Sequence, residues 1–363
     1  MKTTVSKSAL TDVLRKVLNA VSTKTTIPVL NNVLLQADEQ GLLLSATDLE
    51  VFMRSRAAGV TEREGRTTLP ARKFAQIIGA LPEGDVTLET NENEQTAISC
   101  EKSFFRIVGM ESAEFPTEEE VESNWSFTLP AAEFRKILNK VSYAASTDET
   151  RHVLNGILLS IRSSVLTTVG TDGRRLALVE RALEEGTPGD VDVILPPKLV
   201  TELERVLEED HPLTIQLSES RAAFTVNETR IVSKLVEGSY PNYRQVIPDS
   251  FSKSAVFPRE VFGAVLNRVA MVVSESSSSV NMELKDTQAT LSANSAEVGE
   301  GNEAFEISYD GEPVEISFNP LFLMDPLKHL ESDQVVLQFN DEYSPVSVSG
   351  DEGFLYVIMP MRS

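Results

Sequence analysis

The sequence of 363 residues contains one cysteine, three histidines and one tryptophan. A single cysteine, Cys100, excludes an intramolecular disulfide framework and any metal site built from several thiolates. No stretch approaches about 18 consecutive apolar residues, so we expect no membrane-spanning helix. Residues 1–14 lack a continuous apolar region, so we expect no secretory signal. These absences favour a cytoplasmic protein.

The sequence also lacks the motifs of common enzyme classes. There is no G-x-G-x-x-G, no Walker loop and no H-E-x-x-H, and the histidines are far apart. We therefore predict no catalytic residues, no cofactor and no metal. The enzyme alternative is a metal-dependent nuclease that uses Asp48 with Glu50, or residues 118–120, as ligands. Acids of turns and linkers are commoner than metal ligands, and we interpret Cys100 as a small core residue.

The charge of the chain is strongly negative, with 33 Lys and Arg against 55 Asp and Glu, for a formal net charge of −22. Taken alone, this balance argues against a nucleic-acid-binding protein. The predicted helices at 6–21, 71–80, 131–145 and 258–273, however, each carry more basic than acidic residues. No block of five basic residues is present, so any contact with nucleic acid should be weak, salt-sensitive and independent of base sequence.

Internal repeats organise the chain into three similar units of about 120 residues, the size of a domain. The matching segments are 29–35 with 153–159, 47–48 with 171–172, and 138–141 with 266–269. We predict domains at 1–121, 126–249 and 250–363. Their junctions fall in the acidic stretch 111–123 and near 248–254.

Each unit combines two amphipathic helices with several short strands. The spacing i, i+3, i+4, i+7 of apolar residues from Leu10 recurs from Phe262, which predicts matching buried helix faces. Apolar segments such as 33–36 and 42–45 flank polar turns and predict antiparallel strands. The sequence therefore indicates α+β domains. Pro326 falls inside the last predicted helix, 320–330, and we expect it to kink or shorten that helix.

Three motifs carry a resemblance to a known family. Residues 171–176 (TDGRRL), 234–243 (KLVEGSYPNY) and 356–362 (YVIMPMR), together with the three-unit layout, closely resemble the bacterial DNA sliding clamps, the beta subunits of DNA polymerase III. The resemblance covers the whole chain. It implies a DNA clamp fold and a head-to-tail homodimer that forms a six-domain ring, with helices lining the hole. Such a ring encircles double-stranded DNA and confers processivity on the replicative polymerase, in the cytoplasm at the nucleoid.

The resemblance also implies a pocket for short peptide motifs of partners, typically with a Gln and a Leu/Phe end. The implied partners are the DNA polymerase III alpha subunit, the clamp loader, other polymerases and repair proteins. The positions that match the family's pocket are Leu154, Thr171, Gly173, Arg174, Arg175, Leu176, Pro241, Val246, Asn319, Phe322, Tyr343, Val346, Val357, Ile358, Met359, Pro360, Met361 and Arg362.

Two further sets of residues follow from the same matching. At the dimer interface we expect Phe105, Ile107 and Lys102 of the first domain against Met271, Val272, Glu297, Glu300 and Glu303 of the third. Phe104 stands where the family often has a basic residue. Facing DNA we expect Lys24, Arg72, Lys73 and Lys198, and, from helix position only, Arg15, Lys16, Arg135, Lys136, Lys140, Arg205 and Arg268. Lys73 is a candidate for either surface.

A protein-interaction scaffold that never encircles DNA is the alternative function. Such a scaffold would keep the pocket between residues 154–176 and 357–362 but would have no need for basic helices.

Overall fold

A computed structural model of the chain describes residues 1–22, 25–183, 189–207, 211–274 and 279–362. The chain divides into two compact units: Met1–Arg135 with Thr201–Leu235, and Lys136–Val200 with Val236–Ser363. The middle repeat is shared between these units, which we call unit 1 and unit 2. The exact domain limits 1–121, 126–249 and 250–363 stay a prediction.

The α-helices within the described residues are α1 Lys7–Val17, α2 Ala71–Ala80, α3 Ala131–Val141, α4 His152–Asn155, α5 Pro197–Val206, α6 Arg259–Val269 and α7 Pro320–His329. Short 3-10 turns follow α1, α3 and α6 at Leu18–Ala20, Ser142–Ala144 and Ala270–Val272. Three predicted helices therefore end in a tighter turn rather than continuing as α-helix.

The predicted helix faces are buried as expected. On α1 the residues Leu10, Val13, Leu14 and Val17 face the core, and α6 buries four residues at the same spacing from Phe262. The Ser6 hydroxyl accepts a hydrogen bond from the Ala9 N–H at 3.3 Å and so satisfies one of the free donors at the start of α1. The helices are held mainly by these apolar faces against the sheets.

The strands are short and recur in the same order in the three repeats, with one additional strand in the first. Those of the first half are β1 Lys2–Ser6, β2 Asn32–Asp38, β3 Gly41–Thr47, β4 Val51–Ala57, β5 Gly59–Arg63, β6 Gly65–Pro70, β7 Asp85–Thr90, β8 Gln95–Cys100, β9 Ser103–Val108, β10 Trp125–Pro130, β11 Ile157–Arg162 and β12 Val165–Thr171. Those of the second half are β13 Arg175–Ala182, β14 Val191–Leu195, β15 Pro212–Leu217, β16 Arg221–Val226, β17 Thr229–Lys234, β18 Lys253–Pro258, β19 Val280–Lys285, β20 Gln288–Ser295, β21 Gly299–Glu306, β22 Val314–Phe318, β23 Gln334–Phe339, β24 Val346–Ser349 and β25 Phe354–Ile358.

Four antiparallel sheets arise from these strands, two in each unit. Unit 1 holds the orders β5-β1-β7-β8-β9 and β10-β15-β16-β17-β4-β3-β2-β6. Unit 2 holds β14-β11-β12-β13-β25-β24-β23-β18 and β21-β20-β19-β22. The two eight-stranded sheets are each assembled from two neighbouring repeats, because β4 pairs with β17 and β13 pairs with β25.

These two pairings are equivalent, because each joins strands from the same two places in the repeat; we call each of them a joint. Strands β4, β13 and β21 hold one place in the three repeats, and β9, β17 and β25 hold another. In the first joint Phe52 lies opposite Val232, and in the second Leu176 lies opposite Val357. The remaining members, β9 and β21, are the terminal strands of the two smaller sheets. Among the described residues, neither has a partner strand on its outer edge.

Of the two expected effects of Pro326, a kink or a shortening of its helix, the shortening is wrong. Helix α7 runs through Pro326 to His329. A proline has no N–H to donate to the carbonyl four residues earlier, which is that of Phe322. The Tyr356 hydroxyl donates a hydrogen bond to this carbonyl at 2.7 Å, so the carbonyl keeps a donor. The Asn319 side chain accepts from the Leu321 N–H and caps the start of the helix.

Candidate functional site

The predicted partner pocket lies on unit 2, where β13 and β25 pair. Leu176 and Val357 are opposite each other and are 1% and 2% exposed. They belong to one core cluster with Leu158, Val169 and Ile194. The base of the site is therefore a packed sheet, which can hold surface groups at fixed positions.

The turn before β13 is stabilised by its own side chains. The Thr171 hydroxyl donates to the Arg175 carbonyl at 2.6 Å and accepts from the Gly173 N–H at 3.1 Å. The Asp172 carboxylate accepts from the Arg174 and Arg175 N–H groups. Gly173 has a φ of 85°, in the left-handed region that favours glycine. The turn thus presents backbone at the edge of the site.

Arg175 connects this turn to helix α7. Its guanidinium pairs with Asp172 at 3.1 Å, forms an ion pair with Asp325 and donates to the Tyr143 carbonyl at 2.6 Å. It also lies 4.3 Å from the ring centroid of Phe322. Its three side-chain nitrogens each donate a hydrogen bond, and its guanidinium carbon lies over the Phe322 ring. Arg175 thus contacts Phe322 as a held, paired group rather than as a free charge.

The carboxyl-terminal segment forms the other wall. The Met359 N–H donates to the Arg174 carbonyl at 3.1 Å, and the Met361 N–H donates to the Ser317 carbonyl at 2.8 Å. These bonds hold residues 359–361 against β13 and β22 after β25 has ended. Met359 is 42% exposed, so its thioether is available as an adaptable apolar contact.

The other predicted pocket residues differ in accessibility. Val246 and Tyr343 are exposed, Leu154 and Phe322 are half-buried, and Val346 and Ile358 are buried and pair with each other. The last two therefore support the pocket rather than line its surface. Leu321, which the sequence reasoning did not select, is 67% exposed at the start of α7. The sequence signal that could have selected Leu321 was its apolar side chain directly before Phe322.

A cavity of about 430 Å³ adjoins this region and is formed by β11, β14 and residues 238–244. Pro241 lines it together with Tyr240, Tyr243 and Arg244. Of these lining residues, only Pro241 belongs to the predicted pocket. The motif 234–243 also contains Tyr240 and Tyr243, so the motif itself was the signal for this side of the cavity.

The predicted interface residues lie on or near β9 and β21, the strands without an outer partner among the described residues. On β9, Phe104, Phe105 and Val108 are 59%, 41% and 64% exposed. Arg106 lies 5.6 Å from the Phe104 ring centroid and supplies a positive charge that the sequence reasoning did not select. Exposed Lys102 precedes the strand, and Ile107 is half-buried.

Strand β21 is acidic, with exposed Glu300 and half-buried Glu303, and Glu297 precedes it. In the turn after α6, Met271 is 69% exposed and Val272 is half-buried. The two edges thus combine opposite charges with exposed apolar side chains. Exposed edges of this kind are sites for pairing with another strand.

The predicted DNA-facing residues are mostly on helices, and several already hold an acid. Arg15 and Lys16 pair with Asp12, Lys136 with Glu331, Arg205 with Glu202 and Arg268 with Glu303. Lys140 pairs with Asp351 at 2.5 Å, and both side chains are largely, though not fully, buried. The Arg135 side chain donates to the Glu204 carbonyl, and Lys73 donates to Gln76.

Of the other candidates for contact with DNA, Arg72 is exposed and Lys198 is half-buried, while Lys24 lies outside the described residues. The pairing of Arg268 with Glu303 connects residues predicted for two different surfaces.

The acids considered as metal ligands have other partners. Asp48 accepts from the Glu50 and Val51 N–H groups, in the same turn that Asp172 makes. Glu118 pairs with both Arg54 and Arg230. Within the described ranges, no group of three His, Cys, Asp or Glu residues could hold a metal ion. In that same part of the chain, no helix is long and apolar enough to cross a membrane.

Three α+β repeats, joined edge to edge by matching strands, define a clamp-type fold. Family models for the N-terminal, central and C-terminal domains of the DNA polymerase III beta subunit match residues 1–119, 128–242 and 244–362. The chain therefore belongs to the DNA polymerase III beta subunit family, as the sequence motifs predict.

Named relatives and solved structures agree with this assignment. A beta sliding clamp of Chlamydia muridarum is 36% identical over 362 residues, covering 100% of this chain and 99% of the relative. That of Escherichia coli K12 is 33% identical and covers 100% of both. The crystal structure of the Pseudomonas aeruginosa beta subunit has a TM-score of 0.95 at 31% identity, with 100% of both chains covered. Another Pseudomonas aeruginosa sliding clamp was solved bound to griselimycin. The predicted clamp fold of three similar domains and the sliding-clamp function are thereby confirmed, and the scaffold alternative is not favoured.

Proposed function

We propose that two copies of this chain pair head-to-tail into a closed ring that encircles duplex DNA. The ring holds the replicative polymerase at its template and performs no catalysis itself. The observation that carries the proposal is the pair of unpaired edges, β9 and β21. They hold the same places in their repeats as the strands that pair at the two joints within the chain. A second copy supplies the third joint.

The repeat also predicts the register of that third joint. Ser103 begins β9 after Glu101 at a φ of 49°, just as Thr229 begins β17 after Asn227 at 48°, so Arg106 corresponds to Val232. Gln288 pairs with Glu306 as Val165 pairs with Ala182, so Glu300 corresponds to Leu176.

At the two joints within the chain, the residues at these positions face each other. Phe52 is opposite Val232, and Leu176 is opposite Val357. We therefore expect Glu300 of one chain to lie directly opposite Arg106 of the other, and Asn302 opposite Phe104. An opposite-charge pair across an antiparallel joint is favourable, and the exposed apolar groups beside it gain by leaving water.

The interior of such a ring needs only weak contacts with DNA. A ring closed around DNA is retained by topology, so the modest positive charge of the helices needs only to position the ring on the duplex. The acidic remainder of the chain repels DNA and so resists nonspecific binding. We propose Arg72 and Lys198, with Lys24, as the first DNA contacts. Because the ring cannot leave, a bound polymerase stays at high effective concentration near the primer end.

The pocket on unit 2 completes the proposed function. Short peptide motifs of the DNA polymerase III alpha subunit, the clamp loader and other polymerases or repair proteins bind there in turn. The supporting features are exposed Val246, Met359 and Tyr343 around a rigid sheet, with Phe322 held by Arg175. Methionine adapts to different ligands, which suits a shared site. The site of action is the cytoplasm, at the nucleoid.

The ring is tested by closing it covalently around DNA. In a Cys100→Ala background, Phe104→Cys and Asn302→Cys place thiols opposite each other in the expected register, within disulfide reach. The protein is mixed with a circular plasmid, oxidised and washed in concentrated salt. We expect circular DNA to retain the cross-linked protein, and linearised DNA to release it.

Asn302→Cys alone, in the same background, is the matched control and should be washed from both DNA forms. A double-cysteine protein that cross-links but leaves circular and linear DNA equally would contradict encirclement. Failure to cross-link would contradict the joint.

A further inference from the structure

An unusual helix carries the Phe322 side of the pocket. Pro326 is buried inside α7, where a proline cannot donate to the carbonyl four residues earlier. A proline ring inside a helix also crowds the carbonyl four residues earlier. In α7 that carbonyl belongs to Phe322, whose ring lies against Arg175 in a contact that we call the platform. The sequence of α7 therefore leaves one acceptor to be satisfied from outside the helix.

Tyr356 supplies the missing donor. Its side chain is fully buried on β25, and its hydroxyl donates to the Phe322 carbonyl at 2.7 Å. Burial raises the pKa of the Tyr356 phenol, and nearby Arg175 offsets only part of this rise, so the hydroxyl keeps its proton at neutral pH. The hydrogen bond is thus available whenever the helix and the strand are packed.

This one bond joins the two walls of the pocket. Helix α7 carries Phe322 and Asp325, the acid that holds Arg175. Strand β25 continues into Val357 and, one residue past its end, Met359. A shift of the Phe322 backbone would move its ring relative to Arg175, which lies 4.3 Å from the ring centroid.

We propose that Tyr356 is a positioning residue for the peptide pocket, acting through the Phe322 carbonyl that Pro326 leaves without a helical donor. The inference rests on the proposed function of the pocket. Without the hydroxyl, the carbonyl must turn toward water, and the fraction of molecules with a formed platform falls. Peptide affinity falls with that fraction.

The test is a double-mutant cycle on the full-length protein. Tyr356→Phe removes only the hydroxyl, and Pro326→Ala restores an N–H that can donate to the Phe322 carbonyl. The probe is a short fluorescein-labelled peptide that contains Gln and ends in Leu-Phe, measured by fluorescence anisotropy. We expect Tyr356→Phe to weaken binding roughly three- to tenfold. The double variant should bind within about twofold of Pro326→Ala alone, because its carbonyl has a donor again.

Tyr309→Phe is the matched control. Tyr309 is also buried in unit 2, and its hydroxyl donates to the Glu312 carbonyl at 2.6 Å. This variant should lower the melting temperature and leave peptide affinity unchanged, which separates positioning from stability.

The outcomes distinguish the inference from the function on which it rests. If the unaltered protein does not bind the peptide, the proposed pocket fails. If it binds and Tyr356→Phe binds equally well, or if Pro326→Ala does not reduce the loss, the positioning role of Tyr356 is overturned.

Discussion

Two lysines of helix α3 form ion pairs that differ greatly in solvent exposure. Lys140 and Asp351 are 2.5 Å apart, with side chains 14% and 11% exposed. Lys136 and Glu331 are 2.8 Å apart but 59% and 62% exposed. Asp351 also accepts from the backbone N–H groups of Glu331 and Ser332. Removing one partner of a buried pair leaves an uncompensated charge, whereas an exposed pair is screened by water.

We therefore expect Asp351→Asn to lower the free energy of unfolding by about 1–2 kcal/mol at pH 7. Burial alone would raise the pKa of Asp351, but Lys140 and the two N–H groups outweigh it and hold this pKa below its ordinary value. A lowered folded-state pKa stabilises the fold above the unfolded value of about 4, and this stabilisation is lost as the pH falls further. Urea denaturation at several pH values should show the difference between the two proteins shrinking in acid.

Glu331→Gln is the control for this experiment, with an expected change within about 0.5 kcal/mol at every pH. Equal effects of the two substitutions at pH 7 would contradict the role of burial.

The residue scale also marks a limit of sequence reasoning. Thr47-Asp48 and Thr171-Asp172, which match in the sequence, form equivalent turns in the structure. The third position of the turn is Gly173 at a φ of 85° in one repeat and Leu49 at 77° in the other. Leucine rarely adopts this conformation, so no propensity of Leu49 predicts it. The Thr47 and Asp48 hydrogen bonds impose the turn instead.

At the scale of elements, the proposed joint between two chains depends on the edges of β9 and β21. The register derived from the repeat places Arg106 against Glu300, and only a heterologous pairing brings these unlike charges together. We expect Arg106→Glu to oppose two carboxylates at the joint and to convert the dimer to a monomer at micromolar concentration. Sedimentation equilibrium measures this directly.

Charge reversal on the other strand provides the rescue. Glu300→Arg alone should also weaken the dimer, while the double reversal in one chain should restore it, since the pair is re-formed with opposite polarity. Restoration would support the register, and a double variant weaker than either single one would contradict it.

Element prediction was accurate where local pattern decides and failed where a distant residue intervenes. The apolar spacing gave the buried faces of α1 and α6 correctly. Pro326 was expected to kink or shorten α7, but the helix runs through it to His329. Tyr356 lies 30 residues further along the chain, and only tertiary packing brings its hydroxyl to the Phe322 carbonyl.

At the scale of the whole molecule, a net charge of −22 opposes adhesion to DNA. Arg72→Glu with Lys198→Glu should therefore reduce how much of the double-cysteine protein is captured on circular DNA before oxidation. Once the ring is closed, retention should not change, because a closed ring is held by topology and not by ion pairs. The amount captured and the half-life in concentrated salt are measured separately.

Lys285→Glu with Arg244→Glu changes the net charge equally at positions outside the predicted DNA-facing set. Circular DNA should capture as much of this control variant as of the parent double-cysteine protein. A similar loss in the control would mean that total charge, rather than the helix residues, governs approach to DNA.

The whole-molecule prediction from sequence was correct in its count of repeats and incomplete in how they combine. Matching segments revealed three similar units. They could not show that sheets continue across the junctions, so that the chain divides into two compact units. The pairing of β4 with β17 and of β13 with β25 depends on strands from different repeats. Composition and periodicity describe each strand but not its neighbour in the sheet.

The polarity of the two free edges has a practical consequence. Pairing of two β9 edges would bring arginines together, and pairing of two β21 edges would bring glutamates together. Repulsion between like charges therefore disfavours pairing of either strand with a second copy of itself. A peptide that copies residues 103–108 (SFFRIV) would, in contrast, complement β21 and occupy the position of the second chain. In the proposed ring this edge is buried, so an inhibitor designed against it would act on newly made chains and leave closed rings intact.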